Sequence, residues 1–511
     1  MTRPGLPPSW DFETDVAVVG CGYAGGVAAI AAHDAGARVM VLEKMPDSGG
    51  ISICSAGGVR VTRDVEQAFQ YLERTNGGTT PGAVLRALAQ GMSEAGDFVR
   101  ELARVNGADV SERESPGNYP FPGHRCFGFV YVDRVPGFDP ARDYPHVRGS
   151  AAGAMLFKVV EDNLRQRAID IRLNCRARRL IADATGAVRG LVVFVNGHEQ
   201  TIRARRGVVL ACGGFEAAPT LQAQYWQGQP VLSAAVGGNT GDGIRMAQDL
   251  GAELWHMWHY HGSYGFRHPN PAYPYGIRTK RLPDWVPGDR LREDVVMTWI
   301  AVDQQGRRFM NEYEPYLQDT GARSFERYAP ETQRFPRIPA WLITDDAGRR
   351  RYPLGRPTYN DRTADFDWSQ DNLREVELGI LKRADTLEQL AGAMGLEART
   401  LTRTIEQWNR SCAAGSDGDF DRPPSSMVPI VTPPFFCAEI WPVVSNTQGG
   451  PRHDELQRVL DVYGDPIRRL YAAGELGSVF GHLYLSGGNL AECFIGGRIA
   501  GRQAASVADS D

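Results

Sequence analysis

Between Asp15 and Glu43 the chain passes from one β-branched apolar run, through a glycine-rich turn and an alanine-rich stretch, into a second apolar run. Asp15-Val-Ala-Val-Val19 has the pattern of a strand buried on both faces. Gly20-Cys-Gly22-Tyr23-Ala24-Gly25-Gly26 follows without a break. Val27 to Ala35 then reads as an amphipathic helix with Gly36 as its stop, and Ala37 to Leu42 as a second buried strand that ends at Glu43. In this order each glycine has a task. Gly20 makes the tight turn, Gly22 lets the backbone approach a pyrophosphate, and Gly25 lets helix and strand pack closely. The helix N-terminus stabilises the phosphates. Glu43 falls about 20 residues on, where an acid accepts from ribose hydroxyls. Lys44 follows it rather than a cluster of arginines, which argues against a 2′-phosphate. The segment predicts a dinucleotide site.

Composition supports a folded enzyme. Glycine contributes 58 of 511 residues, about 11%, without a G-X-Y period. That excess over the usual ~7% fits tight turns and close backbone approach to a ligand. Hydrophobic residues at 42% and charged residues at 23% exclude wholesale disorder. A net charge of −5 gives no footing for nucleic acid. The length predicts three domains or fewer. None of the eight cysteines is at CxxC spacing, which excludes zinc-ribbon, c-type haem and thioredoxin readings, and no metal is expected. Scattered reduced thiols, together with a start (MTRPGLPPSW) lacking an apolar signal core, predict a cytoplasmic protein. The uncharged apolar stretch Val16 to Ala32 is too short and too glycine-rich for a membrane span, so none is expected.

Three further segments favour FAD over NAD. Ser48-Gly49-Gly50 and Ser55-Ala56-Gly57-Gly58 offer a second glycine-rich turn for the middle of a longer cofactor. Gly207-Val-Val-Leu-Ala211-Cys-Gly213-Gly214 is a strand ending in two glycines. Leu470-Tyr-Ala-Ala-Gly474-Glu475 is a strand and turn late in the chain, as expected if an insertion interrupts the cofactor domain.

On these residues the chain resembles the flavoprotein family of fumarate reductase, succinate dehydrogenase and 3-ketosteroid dehydrogenases. The segments that carry the likeness are VAVVGCGYAGGVAAIAA, VLEKMPDSGGISICSAGG, VVLACGGF, NTGDGIRMAQDLGAEL, GRRFMNE, LYAAGELGS and SGGNLAECFIGGRIAG. The resemblance implies an α/β fold. A Rossmann-like FAD-binding domain would come from both chain ends, residues 1–274 and 437–511, with an inserted α+β capping domain over 275–436. It implies FAD contacts at Gly20, Gly22, Tyr23, Ala24, Gly25, Glu43, Lys44, Gly49, Gly50, Ile51, Ser52, Ala56, Gly57, Gly58, Ala177, Ala211, Gly213, Gly214, Asp242, Gly474, Glu475, Asn489 and Leu490. The cofactor is expected to be non-covalent, because Gly50-Ile-Ser-Ile-Cys54 lacks the acceptor His of succinate dehydrogenase.

Three departures separate the chain from the fumarate branch. Ser445-Asn-Thr-Gln-Gly-Gly450 has no His, Tyr484-Leu-Ser-Gly-Gly-Asn489 has no Arg, and Trp258-His-Tyr-His-Gly-Ser263 has no His-Pro. Tyr484-x-Ser486 before Gly487-Gly488 is instead similar to the ketosteroid branch, with the Δ4-dehydrogenase pattern. Desaturating a ketone beside its carbonyl needs the oxygen polarised, an α-proton removed and a β-hydride delivered to the flavin. A neutral Tyr484 can donate to the ketone at neutral pH. Backbone N–H groups at Gly487 and Gly488, where a last helix (Leu490 to Ala504) opens, can share developing charge. Ser486 or a Tyr beyond Asn311-Glu312, here Tyr316, is the candidate for moving the proton. Without the resemblance, Tyr484 reads as a core aromatic, Ser486 as an N-cap and Tyr316 as a surface residue in a loop.

The run Trp255-His-Met-Trp-His-Tyr-His261 holds three His and three aromatics, and predicts a pocket wall with Tyr260, His261 and Tyr264. In the cap, Leu387, Leu390 and Met394 predict a helix with one buried face. The sum is an FAD-dependent dehydrogenase or reductase of CH–CH groups. Its expected substrate is a small apolar ketone or enone, such as a steroid or other cyclic ketone. No haem or iron–sulfur motif is present, so a quinone, a soluble carrier or oxygen is the expected electron partner. Two other readings stand beside it: a fumarate-reductase-like enoate reductase on a carboxylated substrate, and a catalytically decayed flavin-binding partner protein.

Overall fold

The computed structural model describes residues 6–285 and 295–508, apart from the side chain of Gln318. The first five residues of the amino-terminal segment, and 286–294 of the expected capping domain, lie outside the described residues. The chain forms two compact units. One comprises Met1–Ala218, Gly238–Tyr260 and Asn446–Asp511; the other Pro219–Gly237 and His261–Ser445.

The first unit opens with β1 (Phe12–Val19), α1 (Tyr23–Asp34) and β2 (Val39–Leu42), the predicted strand–turn–helix–strand order. Next come β3 (Val59–Thr62), α2 (Val65–Asn76), α3 (Gly82–Ala103), β4 (Asp109–Glu114) and β5 (Phe127–Arg134). The three strands β3, β4 and β5 make an antiparallel sheet of their own. After α4 (Ala151–Gln166) follow β6 (Asp170–Arg172), β7 (Arg176–Ala182), β8 (Val188–Val195) and β9 (His198–Leu210). Then come α5 (Asp242–Asp249), β10 (Arg458–Leu460), β11 (Pro466–Ala472) and α6 (Gly488–Ser506).

The main sheet has the order β10-β11-β9-β1-β2-β6, with β8 also paired to β9 and β7 to β8. Strands β11, β9, β1, β2 and β6 are parallel. Their register sets Val19 level with Leu42 and Leu210, and Leu210 level with Ala472. Val16, Val18, Val41, Val208 and Leu210 are all fully buried, which is why these strands read as unbroken apolar runs.

Helix α1 departs from the amphipathic expectation. Tyr23 through Ala32 are all buried, and only its last two residues reach solvent. The reason is composition: alanine and glycine leave no bulky face, so α1 fits between the sheet, α4 and α6. Its start is tight, because a Cβ at Gly25 would stand 1.9 Å from the Gly20 carbonyl oxygen.

The second unit is built on an eight-stranded sheet around the strand Phe435–Thr447. The strand Ala340–Asp345 pairs with it antiparallel, from Ala340 opposite Ile440 to Asp345 opposite Phe435. An aromatic core that includes Tyr264, Phe266, Trp299, Tyr359 and Trp368 packs against this sheet. The predicted helix is found at Leu387–Met394, N-capped by Thr386, with Leu390 and Met394 buried and Leu387 partly so. Its Gly392 has open space around it.

Those two glycines give opposite expectations. Gly25→Ala forces backbone against backbone and is expected to cost about 1–3 kcal/mol. Gly392→Ala, in an exposed helix interior, is expected to stabilise by about 0.5–1 kcal/mol. Thermal unfolding of the two variants should shift the midpoint in opposite directions.

Candidate active site

The four segments singled out in the sequence all start where a parallel strand stops. Gly20 N–H donates to Leu42 O (2.8 Å), Glu43 N–H to Arg172 O (2.8 Å), Ala211 N–H to Val19 O (2.8 Å), and Ala473 N–H to Leu210 O (3.0 Å). These bonds stitch the carboxyl edge of the sheet, the edge at which open parallel sheets bind ligands. All the cofactor residues expected from the sequence fall in this first unit.

At this edge α1 starts at a glycine. Its cap residue is Gly22, with no side-chain cap and no acid in the first turn. Ser52 Oγ accepts from Tyr23 N–H at 3.2 Å, and Gly49 N–H donates to Cys21 O at 2.8 Å. The turn Gly49 to Ser52 therefore braces the glycine loop. Glu43 Oε2 accepts from Cys21 N–H and its Oε1 from Met45 N–H, both at 2.9 Å. Burial pushes its carboxyl above the usual range. Lys44 Nζ donates to Thr240 Oγ1 (2.6 Å) and Asp242 Oδ2 (2.9 Å), and Arg176 holds the same Asp242 from its other oxygen at 2.8 Å. Ala177 is buried in β7 beside Arg176, and Ala56, Gly57 and Gly58 lead into β3.

Buried carboxyls sit behind the turns after β9 and β11 and on α6; Glu475 was expected from the sequence, while Glu216 and Glu492 were missed. Asn239 Nδ2 donates to Glu216 Oε1 at 2.6 Å and lies 3.4 Å from Glu475 Oε2, while Thr447 N–H donates to Glu475 Oε1 at 2.7 Å. Burial pushes both carboxyls upward, and the charge on Glu475 adds to the push on Glu216. A third acid, Glu492 on α6, receives Val479 N–H (2.7 Å) and Asn489 Nδ2 (2.8 Å). Ser478 Oγ stands 3.0 Å from both its oxygens and donates to Gln448 Oε1 at 2.8 Å. A protonated Glu492 thus has an acceptor in Ser478, and burial pushes its carboxyl to about 8. An acid following Gly-Gly-Phe was the only sequence signal for Glu216, and Glu492 gave none.

The closing segment carries the predicted catalytic residues. Tyr484 is buried, with Phe480 edge-on at 5.2 Å. Its hydroxyl oxygen accepts the Asn489 N–H at the start of α6 (3.3 Å). The phenol therefore caps a 19-residue helix whose own cap, Gly487, supplies no side chain. Gly487 has φ +76°, and a Cβ there would meet Phe129 at 2.3 Å, so glycine is required at this bend. Burial holds the phenol well above its usual range, while the Asn489 and Gly487 N–H groups and the nearby Arg60 charge act against that shift. One expectation is corrected here: Gly488 N–H donates to Leu485 O at 2.7 Å, so it is committed to the turn rather than to a substrate oxygen. Ser486 is held by its backbone, its N–H donating to Asn118 Oδ1 at 2.8 Å and its carbonyl accepting from Arg60 Nε at 2.8 Å. Leu490 lies in the first turn of α6.

Tyr316 belongs to the second unit, just before a short helix, Leu317–Thr320, and burial pushes its phenol to about 12. The His-rich run separates. His256 is fully buried at φ +54°, stacked on Trp255 at 4.7 Å, with Nδ1 2.8 Å from Ser478 O. Trp258 is 46% exposed and lies 5.6 Å from the His482 ring. His259 precedes the strand Tyr260–Arg267 and only His261 lies in it. Tyr264 is a core aromatic of the second unit rather than a pocket wall, and its hydroxyl accepts from Trp299 Nε1 at 3.0 Å.

The model of the FAD binding domain family matches residues 15–490. The chain belongs to this family. FAD is its cofactor, the Rossmann-like α/β fold stands, and so does the class of FAD-dependent dehydrogenase or reductase acting on CH–CH groups. The chain is 29% identical to the 3-oxosteroid 1-dehydrogenase of Mycobacterium tuberculosis, over 92% of this chain and 94% of that one. It is 27% identical to a fumarate reductase (cytochrome) of Shewanella frigidimarina, over 96% and 77%. The crystal structure of 3-ketosteroid delta1-dehydrogenase from Sterolibacterium denitrificans, in complex with 1,4-androstadiene-3,17-dione, superposes with a TM-score of 0.78 at 25% identity, covering 97% of this chain and 99% of that one. Among the described residues no helix is long and apolar enough to cross a membrane.

The donor set fits FAD. The start of α1, with a glycine cap and no acid in its first turn, suits a diphosphate, the glycine turn leaves no room for a Cβ, and Gln448 Nε2 is a buried donor with no acceptor among the described residues.

The acids also set a pH dependence. A carboxyl whose pKa is higher in the folded chain adds stability that is complete below its unfolded value and is lost as pH rises through the folded one. For Glu492 that loss runs up to about pH 8. The buried His256 and His453, whose ring pKa values are lowered, act oppositely but below their usual range. Between pH 7 and about 8.5 the melting temperature should therefore fall, and Glu492→Gln should flatten that fall in a stepped-pH melt.

Proposed function

We propose that the chain oxidises or reduces a carbon–carbon bond conjugated to a ketone in a small apolar substrate, a steroid or another cyclic ketone, with Tyr484 as the group that polarises the carbonyl. The observation that carries this reading is the Asn489 N–H donated to the Tyr484 oxygen. An oxygen that already accepts from a helix N-terminus keeps its own proton for donation, and the positive end of α6 favours the charge left behind as that proton moves toward a ketone. The first unit is the FAD-binding part. The α1 terminus with Gly20, Gly22 and Gly25 would hold the diphosphate, the Glu43 region the ribose, and the turns at Gly213 and Gly474 the remainder. When bound, FAD supplies the two-electron acceptor or donor for the bond.

The chain's own residues do the rest. Tyr484 orients the ketone and stabilises the enolate oxygen. Ser486, or Tyr316 of the second unit, moves the α-proton, as the family resemblance implies. The apolar surround of Tyr484, including Phe480, excludes water and suits an uncharged guest. A quinone, a soluble carrier or oxygen takes the electrons, and the cytoplasm is the proposed compartment.

Tyr484→Phe should keep bound flavin, read from its visible absorbance, while turnover of a 3-ketosteroid with a dye acceptor falls about 10²-fold or more, the size of one lost electrostatic donor. Unchanged turnover would take Tyr484 out of the mechanism. Turnover of fumarate in place of the ketosteroid would move the chain to carboxylated substrates, and turnover of neither would favour a decayed partner protein.

A further inference from the structure

The segment that carries Tyr484 is gripped by a buried arginine that the sequence gave no reason to notice. Arg60 lies in the middle of β3 and is 1% exposed. Its Nε donates to Ser486 O at 2.8 Å and its Nη1 to Ser115 O at 2.7 Å. The guanidinium lies 3.8 Å from the ring centroid of Phe129, its cross-strand neighbour on β5, and 5.8 Å from that of Phe127. At the other backbone group of the same residue, Ser486 N–H is held by Asn118 Oδ1 at 2.8 Å. Both backbone groups of Ser486 are thus fixed between Tyr484 and the Gly487 bend, and the Gly487 bend itself abuts Phe129.

Burying a guanidinium is expensive, and carbonyl dipoles and aromatic faces return only part of the lost hydration. A neutral side chain of similar length could pack against Phe129 without that cost. What the cation adds is a positive charge near the Tyr484 phenol.

We propose that Arg60 is the positioning residue of the Tyr484 site: its guanidinium locks the Ser486 carbonyl so that the phenol stays on the α6 terminus, and its charge favours the phenol as a donor to the substrate ketone. This rests on the reading of Tyr484 as that donor. The electrostatics agree in direction, since Arg60 counters the effect of burial on the phenol. The fork also explains why arginine is needed: one nitrogen reaches Ser486 and another Ser115, whereas an ammonium would keep the charge but not both contacts in the plane.

The test uses the FAD-loaded protein with 1,4-androstadiene-3,17-dione as probe, and reads the carbonyl stretch of the bound ketone by difference infrared spectroscopy. In wild type the stretch should move below its value in an apolar solvent, and Tyr484→Phe should abolish that shift. Arg60→Met should remove most of it and lower kcat about 10–100-fold with less change in KM. Arg60→Lys should recover part of the shift, but not the full kcat. Wild-type stretch and kcat in Arg60→Met would overturn the proposal while leaving Tyr484 in place. A shift that survives Tyr484→Phe, or a probe that does not bind wild type, would overturn the reading beneath it and the proposal with it. If Arg60→Met loses its flavin or its melting transition, Arg60→Lys decides alone: wild-type stretch and kcat there would refute the assignment.

Discussion

Helices α1 and α6 come from opposite ends of the chain and meet backbone to backbone. Gly497 and Gly501 of α6 face the carbonyl oxygens of Ala24 and Ala28, so closely that a Cβ at either glycine would fall 2.6 or 2.2 Å from them. No bulkier pair of faces could approach in this way, and dispersion falls steeply with each added half-ångström. The contact fixes where two helices begin. One start carries the glycine turn after β1; the other carries Asn489 and, through it, the Tyr484 hydroxyl. Cofactor cradle and proposed acid are therefore set by one packing seam, and any change that spreads α1 from α6 acts on both.

Around that seam the interior is unusually polar. Glu216, Glu475, Glu492 and Arg60 are each at most 8% exposed. Their partners are mainly backbone groups and neutral side chains: Thr447 N–H, Val479 N–H, Asn239, Asn489 and the Ser486 carbonyl. Neutral partners satisfy hydrogen bonds without cancelling charge, so the acids gain protons more easily and the fixed cation keeps its field. Such an arrangement costs stability. It is reasonable where charge must develop during a reaction, because the dipoles are already oriented and little reorganisation follows.

The parts of this site that follow from local rules were legible in the sequence. A β-branched run, a glycine turn and an acid at the right distance specify β1, α1, β2 and Glu43 with few alternatives, and the glycine pair after Leu210 and Gly474 after Ala473 specify two more turns on the same edge. The helix that opens at Gly488 was visible for the same reason. What could not be read depends on contacts between distant segments. Arg60 sits in Val-Arg-Val-Thr, where alternation says only that every second residue shares a face, and its partners lie 55 and 426 residues away. The helix α1 looked amphipathic because His33 and Asp34 end it, yet every residue from Tyr23 to Ala32 is buried. Tyr264 sat close enough to the His-rich run to look like its neighbour, but a strand places it in another core.

The two helix starts show one physical device put to two uses. Unpaired N–H groups at the first turn attract negative charge wherever they are left uncovered. At α1 the cap that the chain supplies is a neutral hydroxyl, Ser52 Oγ on Tyr23 N–H, and the glycines keep the approach open, so the negative charge has to be brought by a ligand. At α6 the chain supplies its own oxygen, the Tyr484 phenol, which is neutral until a proton moves. A permanent anion suits the first and a transient one the second. That difference also bears on the substrate. A carboxylate guest would need a cation facing it, and Arg60, the buried cation that grips this segment, holds two backbone carbonyls and lies against an aromatic face. With Arg60 engaged in that way, the proposed donor phenol is better matched to an uncharged carbonyl than to an acid.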